Sequence, residues 1–220
     1  MTRLTRRALA LGLAALPLPA LAQRAQTTPA RRPAPLSAQD QALVDRAVAY
    51  LEGLSEAKGR FSQTDARGVT LDGDVYLKRP GKARFAYDPP AGLLVVSDGG
   101  NVSIANNKLK TFESYPLMAT PLSLFLARQI RLDRGVTISN VTRRSDGFSI
   151  TARDGRKQAE GQITLAFTES PLQLAGWTVV DAQGQATRIR LSQLEKTSGL
   201  ASSLFVLNDP RPKNPGRARM

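Results

Sequence analysis

Periodic apolar positions begin only after Ser37. Leu43, Val44, Ala47, Val48, Leu51 and Leu54 recur at helical spacing, with Asp45, Arg46, Glu52 and Glu56 largely on the other face. Ser37 and Asp40 form a capping-box-like start, a hydroxyl followed three residues later by a carboxylate. The pattern predicts an amphipathic helix of about twenty residues, ended by Gly59, that lies on a sheet or in its mouth.

From Arg60 the period falls to two. A strand starts at Phe61 and breaks near Asp65 to Gly68. Val69 to Lys78 alternates, Leu71, Gly73, Val75 and Leu77 opposing Asp72, Asp74, Tyr76 and Lys78. Pro80 and Gly81 supply a turn. Ala83, Phe85 and Tyr87 alternate next, until Pro89-Pro90. Strands follow at Leu93 to Ser97 and from Val102, separated by the hairpin signal Asp98-Gly99-Gly100-Asn101. Residues 116–131 interrupt the alternation. Thr120-Pro121 reads as N-cap then first helical residue. Leu122, Leu124, Phe125, Leu126 and Ile130 make a short, very apolar helix ending at Arg128-Gln129. Strands resume at Val136 to Val141, Phe148 to Ala152, Gln162 to Thr168, Leu174 to Asp181, Ala186 to Leu191 and Ser203 to Leu207. The fold class expected is mainly β (α+β). It is an incomplete antiparallel barrel of about eleven strands, its apolar concave face covered by helices that act as lid or plug.

The ends differ from this middle. Arg3, Arg6 and Arg7, the apolar run Ala8 to Ala22 and the small-residue site Ala20-Leu21-Ala22 read as a signal peptide over 1–22, cleaved near Ala22. Thr5-Arg6-Arg7-Ala8-Leu9 also fits a twin-arginine leader loosely, so the export route stays open. Residues 23–36 read as a flexible linker and 210–220 as a disordered basic tail, leaving 37–209 as the folded domain. The expected location is the periplasm.

The net charge of +13 belongs mostly to those ends. Residues 1–36 hold six arginines and residues 210–220 four basic residues, with no acid in either. The middle retains 21 basic against 18 acidic residues, a net of +3. The basic runs lack stacking aromatics, so no nucleic-acid partner is expected. With no His and no Cys, there is no Ser-His-Asp or Cys-His nucleophile, thiolate metal site or disulfide. Asp72, Asp74 and Asp98 read as solvent-facing carboxylates beside turns rather than a cation site. No catalytic residue, metal or cofactor is assigned. Arg79, directly before Pro80 at a strand end, has two readings. It is a solvated turn residue, or a rim donor whose five-donor fork ties backbone carbonyls of a lid.

The order of motifs resembles the LolA family of periplasmic lipoprotein carriers. The resemblance is carried by Phe61-Ser62-Gln63-Thr64, Gly73-Asp74-Val75-Tyr76-Leu77-Lys78-Arg79-Pro80, Phe85-x-Tyr87-x-Pro89-Pro90 and Val95-Val96-Ser97-Asp98-Gly99. Thr120-Pro121-Leu122-Ser123, the stretch Asp181 to Leu191 and Phe205-Val206-Leu207 fit as well, so about residues 40–210 are covered. Ser103 and Ala105 depart from it, since the family often has aromatics after the Asp-Gly turn.

The resemblance implies a non-catalytic carrier; a carrier needs no second copy, so a monomer is expected. It would accept acylated lipoproteins from an inner-membrane lipoprotein-releasing ABC transporter and deliver them to an outer-membrane acceptor. By the same resemblance Arg79 is the lid latch. The side chains then expected in a lipid cavity are Val75, Leu77, Phe85, Tyr87, Val95, Ile104, Ile163, Leu165, Phe167, Trp177, Val179 and Ile189. Alternation alone leaves open whether these line a cavity or form a dry core. Leu117, Met118, Leu122, Phe125 and Leu126 are the expected lid. The alternatives are a binding or sensing module on the same fold for another lipid or glycolipid amphiphile and, with least support in the absence of His, a lipid-directed enzyme.

Overall fold

The computed structural model of the chain describes residues 35–128, 136–155 and 161–209. The leader at 1–22, nearly all of the linker, the tail at 210–220, and Gln129 and Ile130 of the apolar helix lie outside the described residues.

Helix α1 (Ala38–Glu52) precedes strands β1 (Glu56–Thr64), β2 (Thr70–Lys78), β3 (Lys82–Tyr87), β4 (Leu93–Asp98), β5 (Asn101–Asn106) and β6 (Thr111–Pro116). A 3-10 turn (Leu117–Ala119) and helix α2 (Leu122–Leu126) follow. Then come β7 (Val136–Arg144), β8 (Gly147–Asp154), β9 (Gln162–Glu169), β10 (Leu172–Val180), β11 (Ala186–Lys196) and a last 3-10 turn (Ser202–Phe205). The strands form one antiparallel sheet ordered β6-β5-β4-β3-β2-β1-β11-β10-β9-β8-β7. β6 and β7 are its two edges, so the sheet remains open, as an incomplete barrel.

The strand total matches the expectation, but its membership does not. β6 has no apolar alternation, since five of its six residues are exposed. It exists because Asn106 Oδ1 accepts the Lys108 and Leu109 amides at 3.0 Å and turns the chain back onto β5. Conversely, Ser203 to Leu207 is no strand. Its backbone closes local turns, Leu204 to Ala201 and Val206 to Ser203, and Phe205 is only 1% exposed. Its apolar run meets the back of the sheet rather than a neighbouring strand.

α1 begins as expected, the Ser37 hydroxyl accepting the Asp40 amide at 3.1 Å. It ends earlier than expected, at Glu52 with Gly53 as cap. Gly59 does not end it but lies within β1 at a register shift against β11. A Cβ there would lie 2.9 Å from the Gln193 carbonyl and from Leu194 Cα, so glycine permits a close strand approach. The second helix is also shorter than expected among the described residues. Pro121, expected as its first residue, is instead its N-cap, with helical backbone, and the extended Thr120 before it ends the 3-10 turn. The Thr120 hydroxyl donates back to the Leu117 carbonyl at 2.8 Å.

The core fills the concave face. α1 contributes Leu43, Val44, Ala47 and Leu51, packed with Val75, Leu77, Ile150, Ile163, Leu165 and Phe167. Tyr50 meets Phe167 edge to face at 6.1 Å. The surface pairs Arg46–Glu169 (2.6 Å) and Arg143–Asp40 (2.7 Å) orient the helix, but burial holds it.

The convex face carries a smaller apolar patch. Phe205, Val96 and Ala105 are buried outside the main core, and the last 3-10 turn packs on β3 and β4. Polar contacts hold this C-terminal strap. Lys78 Nζ donates to the Leu200 carbonyl at 2.8 Å, Arg84 to the Leu204 carbonyl at 3.0 Å, and the Leu200 amide to Glu56 at 2.8 Å. The Leu200 amide, with the Lys78 ammonium 2.9 Å away, holds the Glu56 carboxyl below its usual value.

Phe205→Ala is expected to cost about 3 kcal/mol in urea unfolding, the usual size for a buried phenylalanine. A midpoint shift near zero would show that the strap is not packed as described. Because Glu56 is shifted down, its hold on the strap persists from neutral pH to the ordinary carboxylate value of 4.5 and is lost only as the pH falls further. Hydrogen exchange at the Leu200 amide across that range checks this.

Candidate functional site

Between the β3–β5 side of the concave face and β10–β11 lies a cavity of about 330 Å³. Phe85, Tyr87, Val95 and Ile104 line it from one side, Trp177, Val179 and Ile189 from the other. These are seven of the twelve side chains named from the sequence. The other five, Val75, Leu77, Ile163, Leu165 and Phe167, pack into the core and do not line it. They share the face of the cavity residues, but α1 covers much of that face, and alternation reports the face rather than what covers it.

Gln63, Leu93, Val102, Tyr115, Thr120, Pro121 and Thr187 also line the cavity and were not anticipated. Leu93 and Val102 carry the right parity and could have been found. Gln63 and Thr187 could not, since polar side chains on an inward face carry no hydrophobic signal. Tyr87 reaches Gln63 over Gly73. The Phe61 and Tyr87 rings meet edge to face at 5.0 Å, and Gly73 is paired between those two residues. A Cβ on Gly73 would stand 2.7 Å from the Phe61 ring. The Tyr87 hydroxyl donates to Gln63 Oε1 at 2.6 Å, and burial pushes its pKa up to about 12. It is therefore a neutral donor at any ordinary pH.

α2 plugs the adjoining space. Phe125 lies against Trp177, ring centres 5.3 Å apart and planes at 31°, and Phe85 meets Trp177 edge to face at 5.9 Å. Leu117, Phe125 and Leu126 are buried, and Leu122 lines the cavity. Met118, expected with them, points outward and is 60% exposed. A helix with five assigned residues has little intrinsic stability, so its position depends on what it touches.

Arg79 touches both helices. Its guanidinium donates to the Leu51 carbonyl near the end of α1, and through Nη2 to the Ala127 carbonyl just past α2, at 2.7 Å. Beside it, the Gly81 amide donates to the Leu126 carbonyl at 2.8 Å. Burial pulls the guanidinium below its ordinary pKa, opposed by the charge of Glu52. Two buried polar atoms lack a partner among the described residues, Arg79 Nε and Trp177 Nε1.

The other candidate chemistry finds structural work. Asp74 and Asp88 both accept from Arg60, and Asp98 Oδ1 caps the Gly100 and Asn101 amides at 2.7 Å. Among the described residues, no cluster of three or more metal-ligating side chains occurs. Ser55 and Lys58 stand at Ser-x-x-Lys spacing, but Ser55 lies in the bend before β1 and Lys58 within the strand, not on one face of a helix. No described helix is long and apolar enough to cross a membrane.

A half-open antiparallel barrel with an apolar cavity and a helical plug is the class that this geometry defines. Residues 52–208 match the family described as outer membrane lipoprotein carrier protein LolA, and the chain belongs to that family. It is 29% identical over 173 residues to the outer-membrane lipoprotein carrier protein of Methylobacillus flagellatus, covering 74% of this chain and 82% of that one. It is 29% identical over 189 residues to the protein of the same name from Chromohalobacter salexigens, covering 80% and 88%. Among solved structures, a LolA superfamily protein from Nitrosomonas europaea aligns with a TM-score of 0.44 at 10% identity, over 74% of this chain and 97% of that one.

Arg79→Leu is expected to loosen α2 and to cost about 3 kcal/mol, since two backbone carbonyls lose a charged donor. Trp177 is the only tryptophan in the chain, so its emission reports on Phe125 directly. The emission should move to the red, and the Gly81 amide should exchange faster. Wild-type emission and exchange in the variant would show that Arg79 does not hold the plug.

Proposed function

We propose that this protein is a periplasmic carrier that shields the acyl chains of lipoproteins in its concave cavity. It takes them from an inner-membrane ABC transporter and passes them to an outer-membrane acceptor, without chemistry of its own. Family membership and the carrier names of its relatives support the reading. The observation that carries it is the apolar cavity beside a plug whose C-terminal end is held through its backbone carbonyls by Arg79 and the Gly81 amide.

At about 330 Å³ the cavity is at the small end of pockets that hold one drug-sized ligand. Several acyl chains need the space that α2 fills. Covering a sixteen-carbon chain recovers roughly 13 kcal/mol at ~0.8 per CH₂. Expelling Phe125 and Leu126 gives back about 5 kcal/mol, and breaking the Arg79 contacts costs more. Net affinity is the difference of these opposing quantities, so cargo is held without being trapped. Arg79 enters that balance through its bond to the Ala127 carbonyl, which is made only with the plug in place.

The mature protein, added with ATP to inner-membrane vesicles carrying an active lipoprotein-releasing transporter, should bring acylated lipoprotein into the soluble fraction. No release while the transporter hydrolyses ATP would overturn the reading. Arg79→Leu should lower onward transfer to outer-membrane acceptor. A glycolipid, in place of acylated cargo, co-purifying in the cavity would assign the fold to another amphiphile.

A further inference from the structure

The cavity wall is mostly carbon, yet Gln63 stands in it with its side-chain oxygen already engaged by Tyr87 at 2.6 Å. A glutamine amide has one acceptor oxygen and two N–H donors. With the oxygen engaged by Tyr87, the two N–H donors are what this amide offers to the cavity. Tyr87 does not accept from those donors by ionising, since burial holds its hydroxyl neutral. It instead fixes the amide with its oxygen toward Tyr87.

A second donor, this one buried without a partner among the described residues, is placed in register with the first. Gln63 pairs with Ile189 across β1 and β11, and Ile189 pairs with Trp177 across β11 and β10. All three side chains line the cavity, and Trp177 Nε1 is buried without a partner. Strands lie about 4.8 Å apart, so the two residues are roughly 10 Å apart along one cross-strand row, with only an aliphatic side chain between. Phe125 of the plug lies on that indole. The row thus holds two N–H donors, one of them buried without a partner among the described residues, in a cavity whose water is displaced when a chain enters.

We infer that Gln63, oriented by Tyr87, donates a hydrogen bond to the carbonyl oxygen that joins an acyl chain to its headgroup, with Trp177 Nε1 as a second donor once the plug leaves. An alkyl chain offers no acceptor; an ester or amide carbonyl does. The contact therefore selects acyl over alkyl ligands and sets the depth at which chains stop. The inference rests on the carrier reading above.

The test uses the mature protein and displacement of a fluorescent apolar dye. Two ligand pairs are compared: a dipalmitoylglyceryl-cysteinyl peptide with its dihexadecyl ether, and dipalmitoyl phosphatidylglycerol with its dihexadecyl ether. The ester should bind about fivefold more tightly than the ether in both pairs, the size of one neutral hydrogen bond. In Gln63→Leu the ratio should fall toward one. Gln63→Glu at alkaline pH keeps the shape but removes the amide donors, and should do the same if the leucine variant folds poorly. Equal binding of ester and ether by the wild type overturns the inference and leaves the carrier reading intact. A ratio unchanged in both Gln63 variants also overturns it. A preference confined to the phospholipid pair overturns the assignment to lipoprotein cargo. No binding of any of the four ligands overturns the carrier reading itself.

Discussion

An antiparallel sheet of eleven strands with β6 and β7 left as edges has an apolar concave face that it cannot cover by closing on itself. Covering that face is the constraint on which the rest of the molecule depends. α1 covers one part permanently, with four buried side chains set on the core of β2, β8 and β9. The short α2 covers another part, beside the cavity, with Phe125 and Leu126. A fully closed barrel would need neither helix and would have no removable part.

The two covers differ in how they are held. α1 has a hydroxyl cap, fifteen residues and a continuous apolar stripe. α2 has little beyond its aromatic contact with Trp177 and polar contacts at its far end. Arg79 links them, because one guanidinium reaches the carbonyl of Leu51 and that of Ala127. The same strand end supplies the Gly81 amide for Leu126. The rim of the sheet therefore meets the ends of both helices at one point, with a planar donor that no lysine could match.

The back of the sheet is organised separately. Phe205 is buried on a 3-10 turn that packs on β3 and β4, and Glu56, Lys78 and Arg84 take up backbone groups of the strap. Glu56 and Lys78 are strand neighbours, paired across β1 and β2, and Lys78 immediately precedes Arg79. One turn thus sends Lys78 to the strap and Arg79 to the plug. Inside the cavity, Gly73 lets Phe61 and Tyr87 meet and brings the Tyr87 hydroxyl to Gln63, a hydrogen-bonded polar pair in a mostly apolar wall.

Period and punctuation in the sequence were enough for the fold class: a capped helix, a run of short alternating strands, an apolar interruption, and an open antiparallel barrel. The Arg79 turn and seven cavity side chains were legible for the same reason, since alternation states which face a residue takes. Only the tertiary structure decided what stands on that face. α1 converts Val75, Leu77, Ile163, Leu165 and Phe167 from candidate lining into core. β6 is a strand because β5 is beside it, not because its residues alternate. Ser203 to Leu207 has a strand's composition but packs across the convex face, where the Arg84 side chain takes the Leu204 carbonyl and a local turn the Ser203 carbonyl. Gln63 acquires its place only when Tyr87 crosses Gly73. Local pattern encodes the direction of each side chain, whereas its neighbours come from parts of the chain far away, and burial against those neighbours determines whether a residue becomes core, wall or donor.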